Sequence, residues 1–434
     1  MKIAIVGLGH TGEIYSACLS ELGHTVTGID KSSDVVKNLN TGIPPLSEPK
    51  LSNLLKVHLK KGKLSFTTDI RHIKNSDLIW LTVDTQIGKD AHGSTKQLFS
   101  CLRKIIPHLQ SGTKLVVSSQ LPAGSSAEIC DFIRLARKDL SFEYAYVPEN
   151  LRLGEGVDSF MNASRVVIGT SSDNLKNILS RLFKNITKNI IFVSVPSAEM
   201  IKHATNAFLA TSMSFIYDIS DICEIVGADV TEVSKGLRAD GRIGEKAYVD
   251  ASSGFSGGHL ERDLQYLRKI AKKNSITLPV INAVHSKNKQ RSEIITRKLF
   301  PILGSFKEKT ITFFGITYKS GTPTLLHSLP LKVAQRLLSE GAHIKLYDPW
   351  VDHTEIEKEL PHGSYEYVSD PYDAAKKSDA VICITPWSAL KELEFAKLAR
   401  QMRGAKVFFD ARNYFTLQQK ALKEAGLNYV GIGR

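Results

Sequence analysis

The opening stretch KIAIVGLGHTGEIYSACLSELGHTVTGID carries an apolar run at Ile3–Val6, a glycine turn, a helical period over about Thr11–Leu22 and a second apolar run ending at Asp30. Short β-branched runs bounded by glycine predict buried strands, and apolar residues at every third or fourth position predict a helix. Further strand-like runs lie at Leu78–Thr82, Lys114–Ser118, Tyr144–Val147 and Arg165–Ile168, with helical stretches between most of them. Such alternation predicts a largely parallel sheet covered by helices on both faces. From Ser197 to Val226 the pattern changes to AEMIKHATNAFLATSMSFIYDISDICEIVG, free of proline and apolar on most faces. A helix of that kind is expected to be buried, between domains or between subunits. More helix follows to about Arg297.

The segment KTITFFGITYKSGTPTLLHSLPLKVAQRLLSEGAHIKLYDP then repeats strand, glycine turn, helix and strand, ending at Asp348, with further strands at Ala380–Ile384 and Lys406–Phe409. The predicted fold class is α/β: two Rossmann-like, doubly wound domains joined by a long central helix. The boundaries fall at residues 1–195, 196–298 and 299–434.

Composition narrows the class. The chain has 434 residues, 42% hydrophobic and 23% charged, enough for two or three cores. No apolar run reaches the roughly 18 residues needed to cross a bilayer, and Met1–Val6 reads as a strand rather than a secretory leader. A cytoplasmic protein without a membrane partner is expected. Cys18, Cys101, Cys130, Cys223 and Cys383 are scattered without metal-ligand spacing, so no metal site is expected. Cys223 and Cys383 lie inside apolar runs and read as small hydrophobes. The formal charge of +13 points to anionic ligands. No stacking-aromatic or zinc-finger pattern accompanies it. Phosphorylated small molecules fit the excess as well as nucleic acid does, so charge alone does not choose. Once the motifs below are added, a phosphorylated small molecule and no nucleic acid is the expectation. The lysines of Leu55–Leu64 and the basic cluster of His285–Lys298 read as solvated helix faces.

Gly7, Gly9 and Gly12 form G-x-G-x-x-G directly after a strand and at the start of a helix. The first glycine permits the turn, the second lets backbone approach a pyrophosphate, and the third allows close helix–strand packing. The helix N-terminus offers open N–H groups to the phosphates. Asp30, at the end of the second strand, stands where a carboxylate accepts ribose hydroxyls and repels a 2′-phosphate. NAD is therefore the expected cofactor, a preference tempered by Lys31 next door. The competing reading is a glycine turn without a nucleotide.

Several strings resemble, in order, those of the UDP-glucose/GDP-mannose dehydrogenases. AEMIKHATNAFLA (Ala198–Ala210) is similar to their central helix, VPENLRLGEGVDSFMNASRVVIG to their P-E-x-L-R-x-G segment, and DGRIG (Asp240–Gly244) to their D-x-R-I-G turn. FFGITYKSGT, TPW (Thr385–Trp387) and DARN (Asp410–Asn413) are similar to motifs of their last domain. The resemblance implies an oxidoreductase that oxidises an alcohol of a nucleotide-linked sugar with NAD, built as a homodimer through the central helix. It assigns Lys202 and Asn206, four apart on one helix face, to the substrate alkoxide. Asp263 falls near the reacting alcohol, and Glu149 where the family assists water attack on a thioester. Thr85 and Gln120 fall beside the nicotinamide, Gln120 in place of a threonine. Arg152, Arg242, Lys319 and Arg412 are the candidate substrate contacts. Arg152 and Arg165 could equally be surface ion pairs, and His203 is expected simply to be packed.

The resemblance breaks at one place. The family's nucleophilic cysteine lies in G-[FY]-G-G-x-C-F-P-K-D, and this chain has Gly254-Phe255-Ser256-Gly257-Gly258-His259-Leu260-Glu261-Arg262-Asp263. Aligned on Asp263 the position is His259; aligned on the glycine pair it is Leu260. Leu326 likewise replaces an arginine of the last domain. A thiol is both a strong nucleophile and a good leaving group, so its loss removes the means to trap an aldehyde. Oxidation that stops after two electrons is the first reading, with epimerisation as its variant. Full oxidation through an aldehyde hydrate, with His259 activating water, is the second. A catalytically silent nucleotide-binding homologue is the third.

Overall fold

The computed structural model describes residues 1–46, 48–87, 93–256, 259–325, 328–351, 353–361 and 363–434. Gly257, Gly258 and Leu326 lie outside the described residues. Among the described residues no helix is long and apolar enough to cross a membrane. The chain forms two compact units, Met1–Thr205 and Asn206–Arg434.

The first unit contains strands β1 (Lys2–Val6), β2 (Thr25–Ile29), β3 (Leu64–Thr67), β4 (Leu78–Leu81), β5 (Gln86–Ile87), β6 (Gly93–Ser94), β7 (Thr113–Val117), β8 (Phe142–Tyr146), β9 (Val166–Gly169) and β10 (Ile190–Val193). The small β5–β6 ribbon is antiparallel. The main sheet runs β10-β9-β8-β7-β4-β1-β2-β3 and is parallel except where β8 meets β9. Successive side chains of a strand alternate between faces. Accordingly Ile3, Ile5, Leu78 and Trp80 enter one core, and Ala4, Val6, Ile79 and Leu81 the other. The chain runs outward from β1 to β3 and then returns to β4 on the other side of β1. That reversal opens a crevice at the carboxyl ends of β1 and β4, the place where such sheets bind ligands.

The second unit repeats the plan with β11 (Thr310–Phe314), β12 (His343–Tyr347), β13 (Tyr365–Tyr367), β14 (Ala380–Cys383), β15 (Val407–Asp410) and β16 (Asn428–Val430). The order is β13-β12-β11-β14-β15-β16, all parallel, with the reversal between β11 and β14.

The long helix spans Val195–Val226 and begins two residues earlier than expected. Pro196 is accommodated because a first-turn N–H has no intrahelical partner to lose. Within the single chain one face of the helix is open. Phe208 (71% exposed), Phe215 and Ile222, seven residues apart, form an open stripe that continues to Ile225 and Val226. Four further helices, Val230–Ala239, His259–Lys273, Pro279–Arg291 and Ile294–Leu303, extend past the expected end at Arg297.

Candidate active site

The glycine turn lies in the crevice of the first sheet. Gly7 has φ +97°, and a Cβ there would lie 2.7 Å from the Val83 backbone. A Cβ on Gly12 would lie 1.9 Å from the Gly7 carbonyl oxygen, and one on Gly9 would lie 1.7 Å from Asp84 Oδ2. The helix His10–Glu21 starts at Gly9 with no side-chain cap, so its first N–H groups are open to an anion. Asp30 accepts from the Leu8 N–H at 2.8 Å and the Ser32 N–H at 2.9 Å, which fixes its carboxylate at the rim. Gly7, Gly9, Asp30, Lys31, Lys96 and Lys104 help line a cavity of about 720 Å³. A side-chain-free turn, an open helix end and an anchored acid at a cavity of this size fit a dinucleotide. Lys96, Lys104 and Asp84 were not singled out from the sequence; the positive net charge was the one hint of the lysines.

Behind the turn sits an acidic group. Glu13 is fully buried, and neither carboxyl oxygen has a hydrogen-bond partner among the described residues. Burial, reinforced by Glu48 and Asp84, pushes its pKa up to about 9. Glu48 is also buried, which alone would raise its pKa. Hydrogen bonds from His10 Nε2 (2.7 Å), Gly156 N–H (2.9 Å) and Gly154 N–H (2.6 Å) outweigh that and hold it below the ordinary value. The same backbone bonds tie the segment following Glu149 to the N-terminal fold.

Four candidate residues of the first unit form one network. Thr85 Oγ1 donates to the Gln120 carbonyl at 2.8 Å, and Gln120 Nε2 donates to Glu149 Oε2 at 2.6 Å. The Leu151 N–H donates to Glu149 Oε1. Lys202 Nζ donates to the Glu149 carbonyl at 2.6 Å and lies 4.0 Å from Oε2. Both oxygens of Glu149 are thus engaged, and the lysine is held at the end of β8's loop. His203 is packed as expected, buried with Nε2 3.0 Å from the Leu121 carbonyl.

In the second unit, Asn206 Nδ2 donates to Asp263 Oδ2, and both side chains are buried. The loop leading to Asp263 is anchored from the helix Pro279–Arg291. Arg291 Nε donates to the Ser252 carbonyl at 2.7 Å. Asn288 accepts from the Phe255 N–H at 2.9 Å and donates to its carbonyl at 3.1 Å. His259 opens the helix His259–Lys273 on an exposed position, with Arg262 Nη2 3.3 Å from its Nδ1.

The remaining candidates differ in setting. Arg152 is exposed and pairs with Glu155 at 3.5 Å, while Arg165 donates to Thr205 Oγ1 at 3.0 Å. Arg242 is exposed, bonded to Asp240 through Nε and Nη2, and lines an apolar cavity of about 880 Å³ with Phe208 and Phe215. Arg412 has a buried Nε with no hydrogen-bond partner among the described residues, whereas Asp410 and Asn413 of the same motif are occupied in anchoring local backbone. Lys319 is half-buried, and its carbonyl accepts from Thr317 Oγ1 at 3.0 Å.

Asp348 occupies in the second sheet the place of Asp30, but its oxygens take Ile316 N–H (2.8 Å), Thr317 N–H (3.4 Å), Trp350 N–H (3.0 Å) and Trp387 Nε1 (3.1 Å). Among the described residues no group of His, Cys, Asp and Glu could hold a metal ion. Burial raises the pKa of every thiol. Cys101 and Cys130 are each pushed up to about 11, and Cys18, Cys223 and Cys383 are also raised.

Three family models match in succession: the UDP-glucose/GDP-mannose dehydrogenase family NAD binding domain at residues 1–187, its central domain at 196–290 and its UDP binding domain at 312–417. Over 441 aligned positions the chain is 34% identical to the UDP-glucose 6-dehydrogenase TuaD of Bacillus subtilis (strain 168), covering 100% of this chain and 93% of that protein. It is 30% identical to a UDP-glucose 6-dehydrogenase of Rhizobium meliloti (strain 1021), covering 100% of both. A solved structure of a UDP-glucose dehydrogenase from Pyrobaculum islandicum superposes with a TM-score of 0.90 at 26% identity, covering 99% of this chain and 97% of that one.

Proposed function

The chain belongs to the UDP-glucose/GDP-mannose dehydrogenase family of NAD-dependent oxidoreductases acting on CH–OH, and on that premise we propose that it oxidises a nucleotide-linked sugar alcohol by two electrons and stops at the aldehyde or ketone. The observation that carries this reading is the thiol-free stretch Gly254–Asp263, in a chain where burial raises the pKa of all five cysteines. A neutral thiol does not trap an aldehyde, because the thiolate is the nucleophile. The engagement of both Glu149 oxygens supports the same reading, since a carboxylate held by two donors is a restrained base for water.

NAD held by Gly7, Gly9, Gly12 and Asp30, with Thr85 and Gln120 at the nicotinamide end, would supply the hydride acceptor. The chain's own residues do the rest. Lys202 and Asn206 are one helical turn apart and present a cation and an amide N–H to the alkoxide oxygen. Asp263, oriented by Asn206, takes the hydroxyl proton directly or through a water. Arg242, Lys319 and Arg412 hold the phosphates and sugar, the unpartnered Nε of Arg412 being the strongest support among them. Arg152, already paired at the surface, has the weakest. The work divides as residues 1–195 for the coenzyme, 196–298 for the spine and 299–434 for the nucleotide. A cytoplasmic homodimer through the open Phe208–Phe215–Ile222 stripe completes the reading.

A second reading, full four-electron oxidation to a uronate through an aldehyde hydrate, is favoured by the names of the whole-length relatives. One experiment separates the two. A panel of UDP- and GDP-sugars is incubated with enzyme and NAD, and NADH and product mass are followed together. One NADH per sugar, or an epimer with none released, is expected; two NADH and a uronate overturn the two-electron proposal.

A further inference from the structure

The helix Lys96–Ile105 has two unlike faces. Leu98, Leu102 and Ile105 enter the same core as Ala4 and Val6 of β1. Lys96, Gln97, Ser100, Cys101 and Lys104 line the coenzyme cavity instead. Spacings of three and four residues put these five side chains on one face. Lys96 and Lys104 stand two turns apart, about 12 Å along the axis. Lys104 shares its end of the face with Asp30 and Lys31, which also line the cavity. Burial chiefly raises the Cys101 pKa, Asp30 adds to the rise, and Lys104 and Lys31 oppose it, so all three charges lie around one thiol. Asp84, the other acid of the lining, lies against Gly9. Around Asp30, one carboxylate is therefore set against two ammonium groups. Among the described residues neither Lys31 nor Lys104 is paired with a carboxylate.

We propose that this cavity takes NADP as well as NAD, with Lys31 and Lys104 as the specificity-determining residues that admit the 2′-phosphate. An acid at the end of the second strand receives the ribose hydroxyls and, alone, repels a phosphate there; a cation beside it accommodates one. The 2′-phosphate carries about −1.5 to −2 charges near neutral pH, so two nearby ammonium groups outweigh one carboxylate. Each Asp30 oxygen also accepts a backbone N–H, from Leu8 and from Ser32, which compensates part of its charge. Both lysines are exposed, so their pull on the phosphate is weakened by salt. The reaction itself is unchanged: the alcohol gives up a hydride and a proton, and the reduced coenzyme is NADPH in place of NADH. All of this rests on the coenzyme reading of the cavity and on neither the identity of the sugar nor the stage at which oxidation stops.

Calorimetry of the full-length protein with NAD and with NADP, in the absence of substrate, tests this. At about 50 mM salt the two dissociation constants are expected to agree within about tenfold, and added salt should weaken NADP more than NAD. Lys31→Gln and Lys104→Gln keep a long polar side chain and remove the charge. Each should weaken NADP by about five- to tenfold more than it weakens NAD, the worth of one charge-assisted contact to phosphate at an exposed site. The double variant should separate the coenzymes further. NADP bound more than about tenfold more weakly than NAD overturns the proposal, as does an equal effect of both variants on the two coenzymes; in either case NAD binding stands. Binding of neither coenzyme overturns the coenzyme reading itself and the proposal with it.

Discussion

The side-chain amide of Gln120 donates a 2.6 Å hydrogen bond to Glu149 Oε2, while the Leu151 N–H takes the other oxygen of the same carboxylate. Glu149 thereby acts as a structural acceptor on the loop that carries the Lys202 contact. Glu149→Gln can keep this pattern by turning its amide oxygen to Leu151 and letting Gln120 flip. The expected cost is about 1 kcal/mol of stability, with NADH formation held within about threefold. Urea unfolding and initial rates measure both. A hundredfold loss of rate would mean that Glu149 acts on the reacting atoms.

Lys202 carries the opposite expectation. Lys202→Met removes the cation assigned to the alkoxide and should lower kcat by about 10² to 10³-fold. NAD affinity, read by calorimetry, should stay unchanged because Lys202 is not among the residues that line the coenzyme cavity. Comparable losses in both quantities would assign Lys202 to cofactor binding instead.

Asp30→Ala should raise the Kd for NAD by about 10 to 100-fold, the worth of charge-assisted hydrogen bonds to the ribose. It also strips the Leu8 and Ser32 N–H groups of their acceptor, so a modest fall in stability accompanies it. Unaltered NAD affinity, measured by tryptophan fluorescence or calorimetry, would remove Asp30 from the site.

Glu13 makes stability depend on pH with a definite sign. Its pKa is about 9 in the folded chain against 4.5 ordinarily. Between those values the folded state holds a proton that the unfolded state has released, so stability falls as pH rises through this window. The loss reaches on the order of a few kcal/mol by pH 9. Glu13→Gln removes the titration, and its advantage over wild type in urea midpoint should grow from pH 6 to pH 8.5. A constant difference would show that Glu13 does not carry a buried proton.

The legible parts of the molecule were those set by local geometry. Gly7, Gly9, Gly12 and Asp30 mark a turn and a strand end whose spacing is imposed by one strand–turn–helix unit, and the same grammar exposed the repeat at Gly315 and Asp348. What escaped were features made by distant segments meeting. Asp84 closes on Gly9 because β4 lies beside β1, and Lys96 and Lys104 reach the cavity from a helix on another connection. Glu13 sits at a helical position like any other until Glu48 packs near it. The long helix was correctly seen as apolar, but composition cannot say which face its own chain leaves uncovered. The His259–Arg262 contact is local, and the i, i+3 rule alone would have found it.

The four donors gathered on Asp348 have a consequence for stoichiometry. A carboxylate with three donors crowded on Oδ2 and one on Oδ1 works as a keystone for its loops and is a poor clasp for a ribose. Two halves of similar outline therefore offer one berth for a coenzyme, and a calorimetric isotherm should level off at a single equivalent of NAD per polypeptide.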